Sequence, residues 1–232
     1  MVVAKELAAH CGDEVQSMTD SPGNRRAETV GFVFPVYAWG LPNVVERFIP
    51  RLKGCGAKYV WCVMTCGDDM GWTDRILRRQ LRRKADLLLD AVWSVQMPNT
   101  YVCLPGFDVD SEEVAESKVA TTLARLTRIA ETIRCRRPEV DVCRGAMPYT
   151  KSYLLRYVFN KLLVTDRYFH TTDDCCKCGR CVKNCPLRNI SDDRKWKGNC
   201  AGCLRCYHDC PKHAVEFGWF TKGKGQKKCV FK

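Results

Sequence analysis

Three short apolar runs punctuate the N-terminal part of the chain. They are 29–36 (TVGFVFPV), 59–64 (YVWCVM) and 91–96 (AVWSVQ), and each is rich in β-branched or aromatic residues. Apolar runs of this length without polar alternation are typical of strands that are buried on both faces. The pattern therefore predicts three strands of an interior sheet.

Helical patterns follow these runs, since apolar residues recur at helical spacing in 42–52, about 70–88 and 111–136. Strands that alternate with helices in this way indicate a parallel α/β sheet. The same reasoning predicts a helix over Val2–Cys11 and a short strand near Val15.

A further helical pattern occupies residues 152–169. Its apolar stripe consists of Leu154, Leu155, Val158, Phe159, Leu162 and Leu163. We expect a connecting helix that packs two modules together. A basic amphipathic helix lying on a membrane surface is the alternative, which the small number of cations disfavours.

Composition narrows the class of protein. The chain has 232 residues, of which 46% are hydrophobic, so a packed core is expected rather than global disorder. No apolar run approaches the ~18–20 residues that span a bilayer, and the N-terminus lacks a signal-peptide pattern. We therefore expect a cytoplasmic protein. Cytoplasmic thiols are kept reduced, so the 17 cysteines favour metal or cluster binding over disulfides.

Charge and cysteine both concentrate at the C-terminal end. Residues 171–232 hold 14 basic and 6 acidic side chains and ten of the cysteines, whereas residues 1–110 have no net charge. This shift predicts a module boundary near residue 171. A basic module suggests nucleic-acid binding. Eight thiolates on two clusters would, however, remove about four units of positive charge, so nucleic acid is disfavoured.

The C-terminal cysteines form two runs of the same spacing, CCKCGRCVKNCP at 175–186 and CAGCLRCYHDCP at 200–211. Both contain the spacing C-x2-C-x2-C-x3-C followed by proline, which is the bacterial iron–sulfur ligand run. Residues 172–218 accordingly resemble the two-[4Fe-4S] ferredoxins. Gly179 and Gly202 lie inside the runs, where the backbone would approach a cluster closely.

That resemblance implies a ligand assignment in which each run supplies three cysteines to one cluster and its fourth cysteine to the other cluster. Cluster one takes Cys175, Cys178, Cys181 and Cys210. Cluster two takes Cys200, Cys203, Cys206 and Cys185. A zinc module is the alternative, although zinc sites typically use paired C-x2-C knuckles. Cys176 and Cys229 fall off the spacing and are expected to be free thiols, and His208 lies inside the second run.

The loops after the three strands carry a second resemblance. FPVYAWGLPNVVERFI, VMTCGDD and SVQMPNTY, followed by the cysteine module, resemble the flavodoxin–ferredoxin fusion proteins of anaerobic bacteria. The resemblance implies that the loops flank the isoalloxazine ring of FMN. The implied contacts are Pro35, Tyr37, Trp39, Gly40, Thr65, Cys66 and Gly67, with Asn99 and Tyr101 as further candidates. From the residues alone, aromatic side chains after a strand are more often packing groups.

The chain departs from the flavodoxin pattern at its start. Flavodoxins begin with a strand and a loop that holds the FMN phosphate at a helix N-terminus. This chain begins inside the helix that follows, so we expect an N-terminally truncated flavodoxin-like sheet with reduced FMN affinity. The segment near Val15 must then pair directly with strand 29–34 or not pair at all.

These observations predict a flavodoxin-like domain over 1–150, a connecting helix over 151–171, a ferredoxin domain over 172–218 and a basic tail over 219–232. The predicted function is electron transfer between the clusters, FMN and a partner oxidoreductase. A flavin-dependent reductase and a redox or iron sensor are the alternatives. Five arginines at helical spacing form either a solvated face or a docking patch for an acidic redox partner: Arg75, Arg78, Arg79, Arg82 and Arg83.

Overall fold

The computed structural model describes residues 2–162 and 165–227. The helices are α1 (Val2–Cys11), α2 (Asn43–Phe48), α3 (Thr73–Lys84), α4 (Glu112–Arg134), α5 (Pro148–Thr150), α6 (Arg156–Leu162), α7 (Arg180–Lys183) and α8 (Arg205–His208). The strands are β1 (Thr29–Pro35), β2 (Tyr59–Cys66), β3 (Ala91–Gln96), β4 (Glu139–Asp141), β5 (Phe169–Thr171) and β6 (Val215–Phe217). A 3-10 turn, Ile49–Leu52, follows α2, and a π-helical segment, Lys151–Leu155, joins α5 to α6.

The first four strands form one parallel sheet in the order β1-β2-β3-β4. Phe32 is in register with Cys62, and Cys62 with Val92, so apolar side chains continue across the strands. The prediction of a parallel α/β sheet is thereby confirmed, together with its three apolar strands. The sequence did not indicate β4, whose residues Glu139–Asp141 lack an apolar run and pair with β3 over three positions.

Helices cover both faces of this sheet. One face packs against α2 and α3, with Phe32, Met64 and Leu77 in its core. The other face packs against α1 and α4, with Trp93 and Leu126 in its core. The alternating direction of side chains along each strand assigns neighbouring residues to opposite layers, which explains why these strands are apolar throughout.

Two expectations about the N-terminal half have clear outcomes. The helix over Val2–Cys11 is confirmed as α1, which packs on α4. The strand near Val15 is wrong, because residues 12–28 form no strand and Val15 is exposed. Of the two arrangements expected for this segment, it adopts the one without pairing.

The connecting helix differs from its prediction. Helical structure ends at Leu162, and Phe169 instead begins β5, where it pairs with Phe217 on β6. Half of the predicted stripe does not pack, because Leu154, Leu155 and Val158 are 45–60% exposed, whereas Phe159 is partly buried and contacts the Tyr101 ring. Ser152 and Arg156 provide the inward contacts, through hydrogen bonds rather than apolar packing. Leu163 lies outside the described residues.

The chain divides into two compact units. Unit 1 comprises 1–98 and 112–157, and unit 2 comprises 99–111 and 158–232. Residues 99–111 therefore group with the cysteine-rich part, although the sequence-based boundary at residue 150 left them in the first domain. Within the described residues, no helix is long and apolar enough to cross a membrane.

Unit 2 is built on the two-stranded antiparallel pair β5–β6 and the short helices α7 and α8. Its core combines apolar side chains with cysteines. Phe169, Tyr207 and Phe217 lie beside Cys181, Cys206 and Cys210, all of them less than a tenth exposed.

Candidate functional site

The two cysteine runs follow the same backbone course, offset by 25 residues. Left-handed backbone conformations occur at three equivalent pairs of positions: Lys177 and Gly202, Gly179 and Leu204, Arg188 and His213. Each run then enters one short helix, α7 or α8. A repeat of this kind presents equivalent cysteines in equivalent ways, which is what two similar sites require.

Backbone amides point at several cysteine sulfurs. Asn189 N–H donates to Cys185 Sγ and Ala214 N–H donates to Cys210 Sγ, both at 3.2 Å. Gly202 N–H donates to Cys200 Sγ at 3.3 Å. The three sulfurs therefore each accept a hydrogen bond from the backbone.

The first predicted ligand set converges on one cavity. Cys175, Cys178 and Cys181 line it from the first run, and Cys210 lines it from the second. Burial raises the pKa of the Cys181 thiol, and the neighbouring Cys175 and Cys210 raise it further. The backbone N–H of Arg180 is the main cause that lowers the pKa of Cys178.

The second predicted set also consists of mutual neighbours. Burial raises the pKa of Cys200 to about 11, and the nearby Cys203 and Cys185 thiols contribute to the rise. Cys206 lies deeper, and burial together with Cys203 and Cys200 raises its pKa. Cys185 therefore faces the second run, just as Cys210 faces the first. Such thiols must lose their protons to bind metal, so binding would release protons.

Two residues near the clusters of cysteines were not indicated as site residues by the sequence. Trp196 packs against the core that contains Cys206, and its ring stacks on Phe169 with centroids 5.4 Å apart. Cys103 is buried near Cys200, and burial raises its pKa to about 12. Trp196 lies between the runs and Cys103 far before them, so neither has a spacing signal.

The loop 99–111 and the end of the described chain both pack on α8. His208 Nε2 donates to Thr100 O at 2.7 Å, while its Nδ1 accepts from Lys227 N–H at 3.2 Å. Lys224 Nζ donates to Val102 O at 2.7 Å. His208 is thus a buried, neutral packing group, and burial lowers its pKa.

Two cysteines, Cys176 and Cys229, fall outside the spacing of the runs and were expected to be free thiols. Cys176 is exposed, lies against the same cavity as Cys175, and contacts the Cys178 sulfur. Cys229 lies outside the described residues. Among the described residues, no group of three or more Cys, His, Asp and Glu side chains is arranged as the ligand set of a single metal ion.

In unit 1, the two main loops predicted to contact flavin adjoin at one edge of the sheet. Pro35 is in register with Thr65, and Val36 N–H donates to Thr65 O at 2.7 Å. Burial raises the pKa of Cys66 to about 12, so this thiol stays protonated at neutral pH. The carboxyl ends of parallel strands are where such sheets bind ligands.

The loop after β1 is a two-residue turn in which Tyr37 and Gly40 exchange backbone hydrogen bonds at 3.1 Å. Ala38 and Trp39 both have positive φ, as this turn type requires. Gly40 is needed for a different reason, because a Cβ there would lie 2.3 Å from the Arg156 guanidinium.

The segment 148–157 holds this turn in place. Arg156 donates to Tyr37 O at 2.7 Å, and Ser152 Oγ donates to Trp39 O at 2.8 Å. Lys151 Nζ lies 5.6 Å from the centre of the Trp39 ring and 2.6 Å from Asp69. The carbonyls of Tyr37 and Trp39 are therefore used within unit 1, and Lys151 links the Trp39 ring to Asp69.

The remaining flavin candidates belong to unit 2. Asn99 N–H donates to Asp110 at 2.9 Å. The Tyr101 ring contacts Phe107 and Phe159 with centroids 6.0 and 5.4 Å apart, and its hydroxyl is buried without a hydrogen-bond partner. The structure groups both residues with the cysteine-rich unit rather than with the loops after β1 and β2.

The arginines of α3 occupy its exposed side. Arg75 lies 4.3 Å from the centre of the Trp72 ring, and Arg78 donates to Leu89 O at 2.6 Å. Arg79, Arg82 and Arg83 are exposed.

Comparison with protein-family models, with curated proteins and with solved structures finds no match to this chain.

Proposed function

We propose that this chain is an electron-transfer protein of the reducing cytoplasm whose unit 2 binds two [4Fe-4S] clusters. Cluster one is assigned to Cys175, Cys178, Cys181 and Cys210, and cluster two to Cys185, Cys200, Cys203 and Cys206. The observation that carries the proposal is the cavity lined by the first ligand set, because one of the four cysteines of that set comes from the other run. This is the exchange of fourth ligands that two-cluster ferredoxins use.

The [4Fe-4S] clusters supply reversible one-electron transfer when bound. The chain's own part is to hold them and set their surroundings. The backbone amides of Asn189, Gly202 and Ala214 donate to sulfurs of the proposed ligands. Such hydrogen bonds stabilise the reduced cluster, which carries more negative charge than the oxidised one. Trp196 and Phe169 shield the second set from water.

Element analysis tests the proposal. We expect protein purified without oxygen to contain about eight iron atoms and about eight acid-labile sulfides per chain. Zinc in place of iron, with no sulfide, would overturn the assignment. The same sample tests the charge argument, since cluster-bound protein should bind nucleic acid weakly at physiological salt.

The exchange of ligands has a sharper test. Cys210→Ser removes a cysteine of the second run, yet we expect it to disrupt cluster one and lower iron to about four atoms per chain. Cys176→Ser is the matched control and should retain about eight. Spectra that assign the loss in Cys210→Ser to cluster two would contradict the interleaved assignment.

A flavin is the second part of the proposal. The adjoining loops with Pro35, Tyr37, Trp39 and Gly40, and with Thr65, Cys66 and Gly67, lie at the ligand-binding edge of the sheet, which supports FMN binding there. Flavin, when bound, adds hydride and one-electron chemistry. FMN titration monitored by flavin fluorescence tests this part, with Trp39→Ala expected to weaken binding.

The experiments also separate the alternatives. Turnover of a small acceptor by the flavin-bound form would favour a flavin-dependent reductase. A cluster-dependent change in partner binding would favour a sensor. For electron transfer, the exposed Arg79, Arg82 and Arg83 on α3 support docking of an acidic redox protein. Reduction by such a partner should then slow as salt is raised.

A further inference from the structure

Unit 1 contains a second concave site that the proposed function does not use. This cavity, the α4 cleft, has a volume of about 310 Å³. Its lining residues are Ser94, Gln96, Ser117, Lys118, Thr121, Thr122, Arg125 and Cys143. Gln96 ends β3 and Cys143 follows β4, so the cleft lies where two parallel strands end. That edge is the usual ligand-binding position in open α/β sheets.

The lining of the α4 cleft is polar and positively charged. It contains two cationic side chains and four hydroxyls, and none of its residues is acidic. The Lys118 side chain is only 15% exposed, and its ammonium group lies 3.5 Å from Asp68, whose side chain is 86% exposed. An ammonium group in such a partly buried position interacts favourably with anions, so an anion that enters the cleft would be attracted to it.

Part of the cleft is fixed in advance. Arg125 donates to Ser94 O at 3.0 Å and to Asp141 at 2.9 Å, which holds the guanidinium in one orientation. The Ser94 Oγ accepts from Cys143 N–H at 2.7 Å. Because the hydroxyl is an acceptor in that bond, its proton remains available to a ligand.

We propose that the α4 cleft binds a small ligand through a phosphate group, with Lys118 and Arg125 supplying charge and the hydroxyls of Ser94, Ser117 and Thr121 supplying donors. Phosphate has several acceptor oxygens and matches a site composed of donors. The volume exceeds that of inorganic phosphate and is at the lower limit of small-molecule sites, which leaves room for a modest organic part. The inference rests on unit 1 alone and is independent of the clusters.

Binding of inorganic phosphate and pyrophosphate to the full chain tests the proposal, measured by isothermal titration calorimetry at low salt. We expect saturable binding of one ligand per chain. Lys118→Gln should weaken it roughly ten- to a hundredfold, the cost of losing one charged hydrogen-bond donor. Arg134→Gln is the matched control, because Arg134 is an exposed residue at the end of the same helix and does not line the cleft.

Absence of saturable binding in the wild type would overturn the proposal. So would an equal loss in Lys118→Gln and Arg134→Gln, since that result would indicate only general surface charge. A second variant, Ser117→Ala with Thr121→Ala, removes neutral donors and should weaken binding without changing the net charge. Its thermal unfolding curve verifies that it is folded.

A further arm identifies the source of the phosphate. FMN that binds more tightly than riboflavin, and loses that advantage in Lys118→Gln, would identify a phosphorylated cofactor as the ligand. Equal binding of FMN and riboflavin alongside retained phosphate binding would identify free phosphate or another phosphorylated metabolite. Iron and sulfide content measured on the same samples tests the clusters separately, so either proposal can fail alone.

Discussion

The two units achieve order by different means. Unit 1 has strands of up to eight residues and a 23-residue helix around an apolar core on each face of its sheet. Unit 2 has strands of three residues and, in its cysteine runs, helices of four. Helices this short are unstable alone. We therefore expect burial of apolar surface to specify unit 1, and unit 2 to depend in addition on the proposed clusters.

Removal of iron should produce the largest difference between the two units. Structural metal contributes on the order of 10 kcal/mol to the folding of small metal domains. We expect iron-free protein to lose slow amide hydrogen exchange in unit 2 while β1, β2 and β3 remain protected. Hydrogen exchange followed by mass spectrometry resolves the two units. Equal protection of unit 2 with and without iron would show that its apolar core is sufficient.

The reciprocal change is Leu77→Ala in unit 1. Leu77 is fully buried between α3 and the sheet, so a cavity there should lower the free energy of unfolding by about 2–5 kcal/mol. Leu88→Ala is the control, since Leu88 is 67% exposed. Denaturant unfolding measures the change, and iron content should stay constant. A loss of iron in Leu77→Ala would mean that the units do not fold separately.

A smaller effect is expected at the segment that supports the turn after β1. Ser152 is buried, donates to Trp39 O and accepts from Trp72 N–H at 2.7 Å. Ser152→Ala leaves both partners unsatisfied and should cost about 1–3 kcal/mol in thermal unfolding of unit 1. Thr127→Ala, at an exposed position of α4, is the control. A change no larger than that of the control would show that water replaces the hydroxyl.

The smallest predicted change concerns the end of unit 2. Tyr207 hydroxyl donates to Lys224 O at 2.9 Å, which ties the described end of the chain to α8. Tyr207→Phe should lower stability by about 0.5–1.5 kcal/mol and speed amide exchange at 224–227. Tyr168→Phe, at a half-exposed ring, serves for comparison. Unchanged exchange at 224–227 would assign their order to Gln226, which donates to Tyr207 O and Cys210 O.

The predictable part of the fold was the part with local signals. β2 and β3 were indicated to within two residues because most of their residues are apolar and either β-branched or aromatic. The sequence did not predict β4, because Glu139–Asp141 forms a strand only through its pairing with β3, which is a long-range interaction. The predicted helix over 152–169 was too long, because the position of Phe169 fits a helical period as well as a strand. Only the pairing of Phe169 with Phe217 on β6 decides between the two.

The candidate site divides in the same way. Cysteine spacing indicated the neighbours that the structure brings together, including Cys210 with the first run. Trp196, Cys103 and the α4 cleft were missed, because their side chains reach the sites from positions that share no spacing. Asn99 and Tyr101 follow β3 along the chain but belong to unit 2, because residues 99–111 contact α8, and sequence proximity to β3 carries no information about those contacts.

The place of residues 99–111 in unit 2 has a consequence for biosynthesis. The ribosome makes this loop before α4 and β4, yet its partners in unit 2 begin only at residue 158. The sheet of unit 1 can therefore assemble on the nascent chain before the partners of this loop have been translated. Unit 2 closes only once Lys224 and Lys227 have emerged. We therefore expect loading of the proposed clusters to follow translation of residue 227, whereas a chain truncated before α7 would lose that loading and keep the sheet of unit 1.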